Sequence, residues 1–283
     1  MIDKGIDPAR TGLSKSLMTG VCERKSFYGE TVRDEFGKRL QHPMPERVLF
    51  GRFVDAMHSY IVWKDMHGED FRSDQAFVLG MEHAIETEPS EHIDWGVFEV
   101  QARNAIELFL DQPEGLAKMR ESYPRNLQMQ GANGQSLRVD DIVGTPDYGD
   151  DDGPIDVKAP GRTIDPSKFY RSAEMPIYAW LWSAQHGGEI PKRLAYQSYV
   201  RTAKPSWKWI ETAGTAQHIE LGKLYANRWR KGLAAGDPDL FSFDTAYCND
   251  CAFRLPLPEV GHGGCPIGMV VPMESDASAP SAR

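Results

Sequence analysis

Asp147, Asp156 and Lys158 are the residues of this chain whose types and spacing could do chemistry. They lie in Gly144-Thr-Pro-Asp-Tyr-Gly-Asp-Asp-Asp-Gly-Pro-Ile-Asp-Val-Lys158. Side chains two apart on a strand point to the same face, so Asp156 and Lys158 project together and Val157 projects to the other side. If Gly149 to Gly153 form a tight turn, Asp147 sits on the adjacent strand near Asp156. Two such carboxylates favour Mg²⁺ or Mn²⁺, which prefer oxygen ligands. A lysine beside them can orient or deprotonate an attacking water and offset charge developing on a phosphate. The competing reading is a hairpin with solvated acids and a surface lysine. An Asp-x-Lys triplet alone is common; its place after a strand and an acidic turn gives it weight.

The four cysteines carry a second signal. Cys248-x-x-Cys251 is a chelating pair, Cys265-Pro266 follows a Gly-rich loop, and Cys22 could complete four ligands. Zinc is the generic expectation for four cysteines. Zinc sites usually draw on two nearby knuckles, whereas here one ligand precedes the central motif and three follow it. Cys followed by Pro also occurs in iron–sulfur ligation. On the residues alone a [4Fe–4S] cluster and Zn²⁺ both stay open. The polar start Met-Ile-Asp-Lys-Gly and the lack of a membrane-length apolar run point to a cytoplasmic protein without a membrane partner. Structural disulfides are not expected there.

The net charge of −9 is unevenly placed. Between Lys158 and Lys231, 13 Lys and Arg face 5 Asp and Glu, and five of the seven Trp fall in the same stretch. Cations interleaved with aromatics suit a nucleic-acid strand, with phosphates outside and bases to stack. A solvated basic surface over an aromatic core is the equal alternative. No Gly-x-x-x-x-Gly-Lys-Ser/Thr loop is present, so no ATP motor is expected in this chain.

Helical spacing of apolar residues predicts helices over Leu13–Tyr28 with Ser14 as N-cap, Glu46–Met66, Asp74–Glu86 and Asp94–Leu110. Alternation then predicts strands over Asn126–Gln130 and Leu137–Val143 around an Asn133-Gly134 turn. With Pro154–Ala159 after a second turn, these form an antiparallel meander. A helix from Pro166 to His186, strands over Arg193–Thr202 and Trp207–Thr212, and a helix over Thr215–Ala235 follow. The tail after Met273 reads as disordered.

The order of these motifs resembles the PD-(D/E)XK nuclease superfamily. The likeness is to its RecB-like branch, which holds the Cas4-type iron–sulfur exonucleases and related phage exonucleases. Gly144-Thr-Pro-Asp147 and Ile155-Asp156-Val157-Lys158 resemble its two core motifs. Leu13 to Cys22 with Phe27-Tyr28 resembles the opening helix and its first cluster cysteine. Gly51 to His58 resembles the helix supplying a metal-binding histidine. Glu174-Met-Pro-Ile-Tyr178 resembles the Gln-x-x-x-Tyr motif beside the active site, with Glu174 where glutamine is usual. The resemblance implies a divalent metal held by His58, Asp147, Asp156 and the Val157 carbonyl, with Glu174 and Tyr178 joining Lys158 in the active site. It also implies a [4Fe–4S] cluster on Cys22, Cys248, Cys251 and Cys265.

The expected fold is therefore α/β: a restriction-endonuclease-like mixed sheet flanked by helices, with a helical N-terminal segment. The expectation is one nuclease domain over 1–273, its cluster joining residues 13–28 to 246–268. The expected function is metal-dependent exonucleolytic hydrolysis of single-stranded DNA or DNA ends, with a recombination or CRISPR-adaptation protein as a possible partner. The alternative is a non-catalytic DNA-end-binding or recombination-partner module with a structural cluster.

Overall fold

The computed structural model describes residues 13–14, 18, 22–37, 46–86, 93–110, 137–160, 164–165, 169, 172–200, 206–242, 251, 253 and 255–266. The chain is α/β, with six α-helices among these residues. It divides into two compact units: Met1–Gln41 with Asn227–Arg283, and His42–Ala226. No helix among the described residues is long and apolar enough to cross a membrane.

The 42–226 unit opens with three helices, α2 (Glu46–Met66), α3 (Ser73–Ile85) and α4 (Trp95–Leu110). Their spans match the helical spacing of the sequence to within a residue. Leu49, Phe50, Phe53, Met57, Phe98, Ile106 and Phe109 fill the layer between them. Gly80 of α3 is pressed onto α2: a Cβ there would stand 2.6 Å from the Phe53 ring.

Next come β2 (Leu137–Val139) and β3 (Ile142–Gly144), an antiparallel hairpin. The continuous strand expected over Leu137–Val143 is thus broken in two. Asp140 takes a positive φ of 52°, and a short polar side chain tolerates that left-handed conformation well enough to turn the chain. A four-stranded mixed sheet follows, in the order β4 (Tyr148–Asp150), β5 (Gly153–Lys158), β6 (Leu194–Val200), β7 (Ser206–Thr212). β4–β5 and β6–β7 are antiparallel, and β5–β6 is parallel. Parallel pairing requires a crossover, supplied by the segment carrying α5 (Glu174–Gln185). All of β6 is buried, as a strand covered on both faces must be. Gly153 (φ 145°) fits where no side chain could, since a Cβ would lie 1.9 Å from the Arg193 carbonyl oxygen.

Side-chain alternation sorts the sheet's two faces. Ile155, Ala195 and Tyr199 join the core of α2–α4, with Val157, Trp207 and Trp209 packed against it. Asp156 and Lys158 pair in register with Tyr196 and Ser198 and share the opposite face with them, toward α5. Glu174 through Ser183 of α5 are all buried. Its helix begins later than the Pro166 expected; the Glu174 N–H is taken by the Ser172 hydroxyl at 3.1 Å. Residues 166–168, the strand expected at 126–130, the turn at 133–134 and the tail after 273 lie outside the described residues.

The other unit holds β1 (Leu13–Ser14) and α1 (Glu23–Thr31) from the N-terminal part. Ser14 is extended and does not cap α1, which begins after Cys22 with Glu23 favourably placed against the helix dipole. This unit also takes residues from Asn227 onward, including the end of α6 (Ala216–Ala235). Phe27 packs on Phe241 (ring centroids 4.9 Å), Phe241 on Trp229 (4.4 Å), and Tyr28 on Phe253 and His262. The Glu23 carboxylate accepts from the N–H and hydroxyl of Ser242 and pairs with Arg228. The N-terminal helix is thus fastened to the C-terminal segment by apolar packing and by hydrogen bonds.

Candidate active site

β5 and the turn before β4 bring the central motif together. Asp147 stands just ahead of β4, and its Oδ2 accepts the Val157 N–H at 2.5 Å. That bond fixes the Asp147 carboxylate against β5. On the α5-facing side, Asp156 is almost fully buried and Lys158 partly so. The Lys158 ammonium pairs with Asp156 Oδ2 and lies 2.9 Å from Glu174 Oε2. The Tyr178 hydroxyl lies one helical turn along α5 from Glu174, 3.0 Å from Asp156 Oδ1 and 2.8 Å from the Thr145 carbonyl oxygen. Tyr196 donates to Glu174 Oε2 at 2.6 Å, and its ring lies 5.1 Å beneath the Lys158 ammonium. Five of the residues expected from the sequence, Asp147, Asp156, Lys158, Glu174 and Tyr178, therefore meet in one network with Tyr196 and Ser172.

The electrostatics are those of crowded acids around one cation. Burial raises Asp147 well above the usual carboxylate range, and the charges of Asp156 and Asp55 push it further. Burial works against the charge on Lys158, yet Asp156, Glu174 and Tyr196 outweigh it and hold its pKa well above the ordinary lysine value. Lys158 is thus a fixed ammonium in this arrangement. Tyr178 is pushed up by burial and by Asp156, so it stays a hydrogen-bond donor.

Asp55 on α2 is the member that motif reading missed. Burial raises its carboxyl to about 6, Asp156 adds to the rise, and Arg52 opposes it. Asp147 also feels the Asp55 charge. One signal was present, though it does not rank Asp55 against His58: Asp55 is the one acid in the run Phe53 to Val62, whose neighbours are otherwise apolar or weakly polar. A carboxylate amid that many buried residues needs a partner.

His58 lies elsewhere. It is fully buried, with Nε2 3.2 Å from the Tyr199 hydroxyl and its ring against Phe109 and Tyr199. Tyr199 belongs to the sheet face turned to α2–α4, opposite the face of Asp156 and Lys158. Burial lowers the His58 pKa to about 3, so its imidazole is neutral. Gln197 donates to Tyr199 at 2.8 Å, freeing the Tyr199 proton for His58. Asp55, three residues before His58 on α2, is the residue of that helix within electrostatic reach of Asp147 and Asp156. Val157 enters the group through its N–H on Asp147.

Asp55, Asp147 and Asp156 are hard oxygen donors of the kind that suit Mg²⁺ or Mn²⁺, and their mutual repulsion is what a divalent cation relieves. As they stand, no three His, Cys, Asp or Glu side chains among the described residues are gathered closely enough to hold a metal ion.

Of the four cysteines, Cys248 lies outside the described residues. Cys22 precedes α1, Cys251 is half-buried and Cys265 buried, all in the same unit. The Cys265 N–H bonds the Phe253 carbonyl at 2.7 Å, which ties its loop to the segment just after Cys251. Burial raises the Cys251 thiol pKa, and charges at Cys22 and Cys265 add to the rise. Compared with known proteins, the chain matches no protein-family model, no curated protein and no solved structure.

Proposed function

We propose that this chain is a divalent-metal-dependent deoxyribonuclease with a restriction-endonuclease-like core, acting exonucleolytically on single-stranded DNA or DNA ends. The observation that supports it most is the meeting of Asp147, Asp156 and Lys158 with Glu174 and Tyr178 at one place on the sheet. Mg²⁺ or Mn²⁺ held by Asp147 and Asp156, with Asp55 within electrostatic reach, would supply Lewis-acid activation of the scissile phosphate. The chain's own residues do the rest. Asp147 and Asp156 are held in place by the Val157 N–H and the Tyr178 hydroxyl. The Lys158 ammonium offsets charge gathering on the phosphate oxygens as a water oxygen bonds to phosphorus and the leaving oxygen departs. Its charge suits it to that role better than to taking a proton from water.

The same reading assigns Cys22, Cys248, Cys251 and Cys265 to a [4Fe–4S] cluster, with zinc as the alternative. The influence of Cys22 and Cys265 on the Cys251 thiol, all three within one unit, supports a shared ligand for these thiols. DNA is the proposed partner, with a recombination or CRISPR-adaptation protein as a second partner on the same reading.

Digestion of end-labelled single- and double-stranded DNA tests the proposal. Cleavage with Mg²⁺ or Mn²⁺, abolished by chelator, is the expected result. Tight binding without cleavage in either metal would replace the enzyme with a DNA-end-binding module.

A further inference from the structure

We infer that Glu174 and Tyr196 form a cradle that positions Lys158, with Glu174 acting on the reaction through Lys158 rather than through metal or DNA. The inference rests on the nuclease reading above and adds a residue role to it. A lysine side chain has four rotatable bonds and about 2 kcal/mol of rotamer freedom to lose on being fixed. Here three features fix it. Glu174 Oε2 lies 2.9 Å from the ammonium, the Tyr196 ring lies 5.1 Å below it, and Asp156 closes the third side.

Glu174 is in turn fixed rather than free to swing. The Tyr196 hydroxyl donates to the same Oε2 at 2.6 Å and lies 3.2 Å from the Ser172 hydroxyl. Ser172 caps the Glu174 N–H, so backbone and side chain of Glu174 are anchored by one pair of residues. Glu174 is 7% exposed, which leaves it little surface to offer to DNA. Its one turn of separation from Tyr178 divides the work on this helix face: Tyr178 holds Asp156, and Glu174 holds Lys158.

The test is a double-mutant cycle on cleavage by the full chain, read as kcat and KM for single-stranded DNA with saturating Mg²⁺. Glu174→Met keeps the length but removes the acceptor. It should lower kcat at least about tenfold while KM for DNA stays within about twofold. Glu174→Gln keeps an amide oxygen for Lys158 and Tyr196 and should recover most of that loss. In a Lys158→Met background, Glu174→Met should lower kcat no further, because its only route is already gone. Tyr196→Phe, which loosens the cradle without touching the ion pair, should give a smaller kcat loss and serves if Glu174→Met folds poorly. Wild-type kcat in both Glu174→Met and Tyr196→Phe would overturn the inference while sparing the nuclease reading. So would losses that simply add to that of Lys158→Met, or a loss confined to KM. No cleavage by the wild-type chain removes the nuclease reading and the inference with it.

Discussion

The Tyr178 hydroxyl lies 3.0 Å from Asp156 Oδ1, and Lys158 takes the other oxygen of the same carboxylate. Asp156 is therefore gripped from a helix on one side and from its own strand on the other. The Tyr178 oxygen also lies 2.8 Å from the Thr145 carbonyl, so the segment leading to Asp147 is referenced to the same phenol. One residue of α5 thus sets the spacing of both core motifs.

Asp156→Ala should abolish metal-dependent cleavage, by at least about a hundredfold, and leave the chain folded. Removing one of several crowded carboxylates relieves repulsion toward phosphates, so DNA binding in chelator should persist or tighten. Gel-shift and digestion of the same preparation check both halves. A variant that cuts at the wild-type rate would mean the reacting centre is assigned wrongly.

Asp55→Asn should change how stability depends on pH. The folded-state pKa of Asp55, about 6, lies above its ordinary 3.8, with burial and Asp156 as causes. Between those values the folded chain binds more protons than the unfolded one, so stability falls as pH rises through that window. The asparagine variant lacks this loss. In chelator it should melt above wild type near about pH 8, with the difference shrinking toward about pH 4. Mg²⁺ should raise the wild-type melting temperature near the upper pH and raise that of the variant less. A melting difference that does not change with pH would contradict the placement of Asp55 among the acids.

His58→Phe separates the structural site from the one implied by resemblance. The Tyr199 hydroxyl would lose its buried acceptor, at a cost of about 1–3 kcal/mol of stability. The Mg²⁺ dependence of cleavage should keep its midpoint. Loss of activity at unchanged stability would return His58 to the metal site.

Protein purified without air should be brown and carry about four irons per chain. Cys22→Ala should bleach it and make α1 sensitive to protease, since Cys22 stands at the start of that helix. Colourless protein with stoichiometric zinc would exclude iron and keep four-thiolate ligation. Wild-type protein free of both metals would remove the cluster altogether.

Much of this arrangement could be read from the residues alone, for identifiable reasons. α2, α3 and α4 were legible because each buries a continuous apolar face at helical spacing. Asp156 and Lys158 were legible because a strand's period is fixed. The hairpin inside Leu137–Val143 was not, because Asp140-Asp141 is a weaker turn signal than Asn-Gly and alternation runs across it. His58 and Asp55 could not be ranked from the sequence. Both sit on α2 less than one turn apart, and only tertiary packing separates the Tyr199 partner of His58 from the acids that act on Asp55. Tyr196 was hidden for a similar reason: its register against Asp156 depends on a parallel pairing across a crossover, which no local pattern encodes.

The two-part makeup of the unit holding the cysteines bears on the order of biosynthesis. Residues 42–226 form a continuous stretch and can complete their contacts while the ribosome is still translating. Cys22 emerges early, but Cys251, Cys265 and Phe241, which packs on Phe27, arrive only with the last segment. Until then α1 lacks its apolar cover and a bare thiol at its start awaits company. On the cluster reading proposed above, loading would follow translation, and a nascent chain stalled before Asn227 would carry the acids of the sheet without three of the four proposed thiolates.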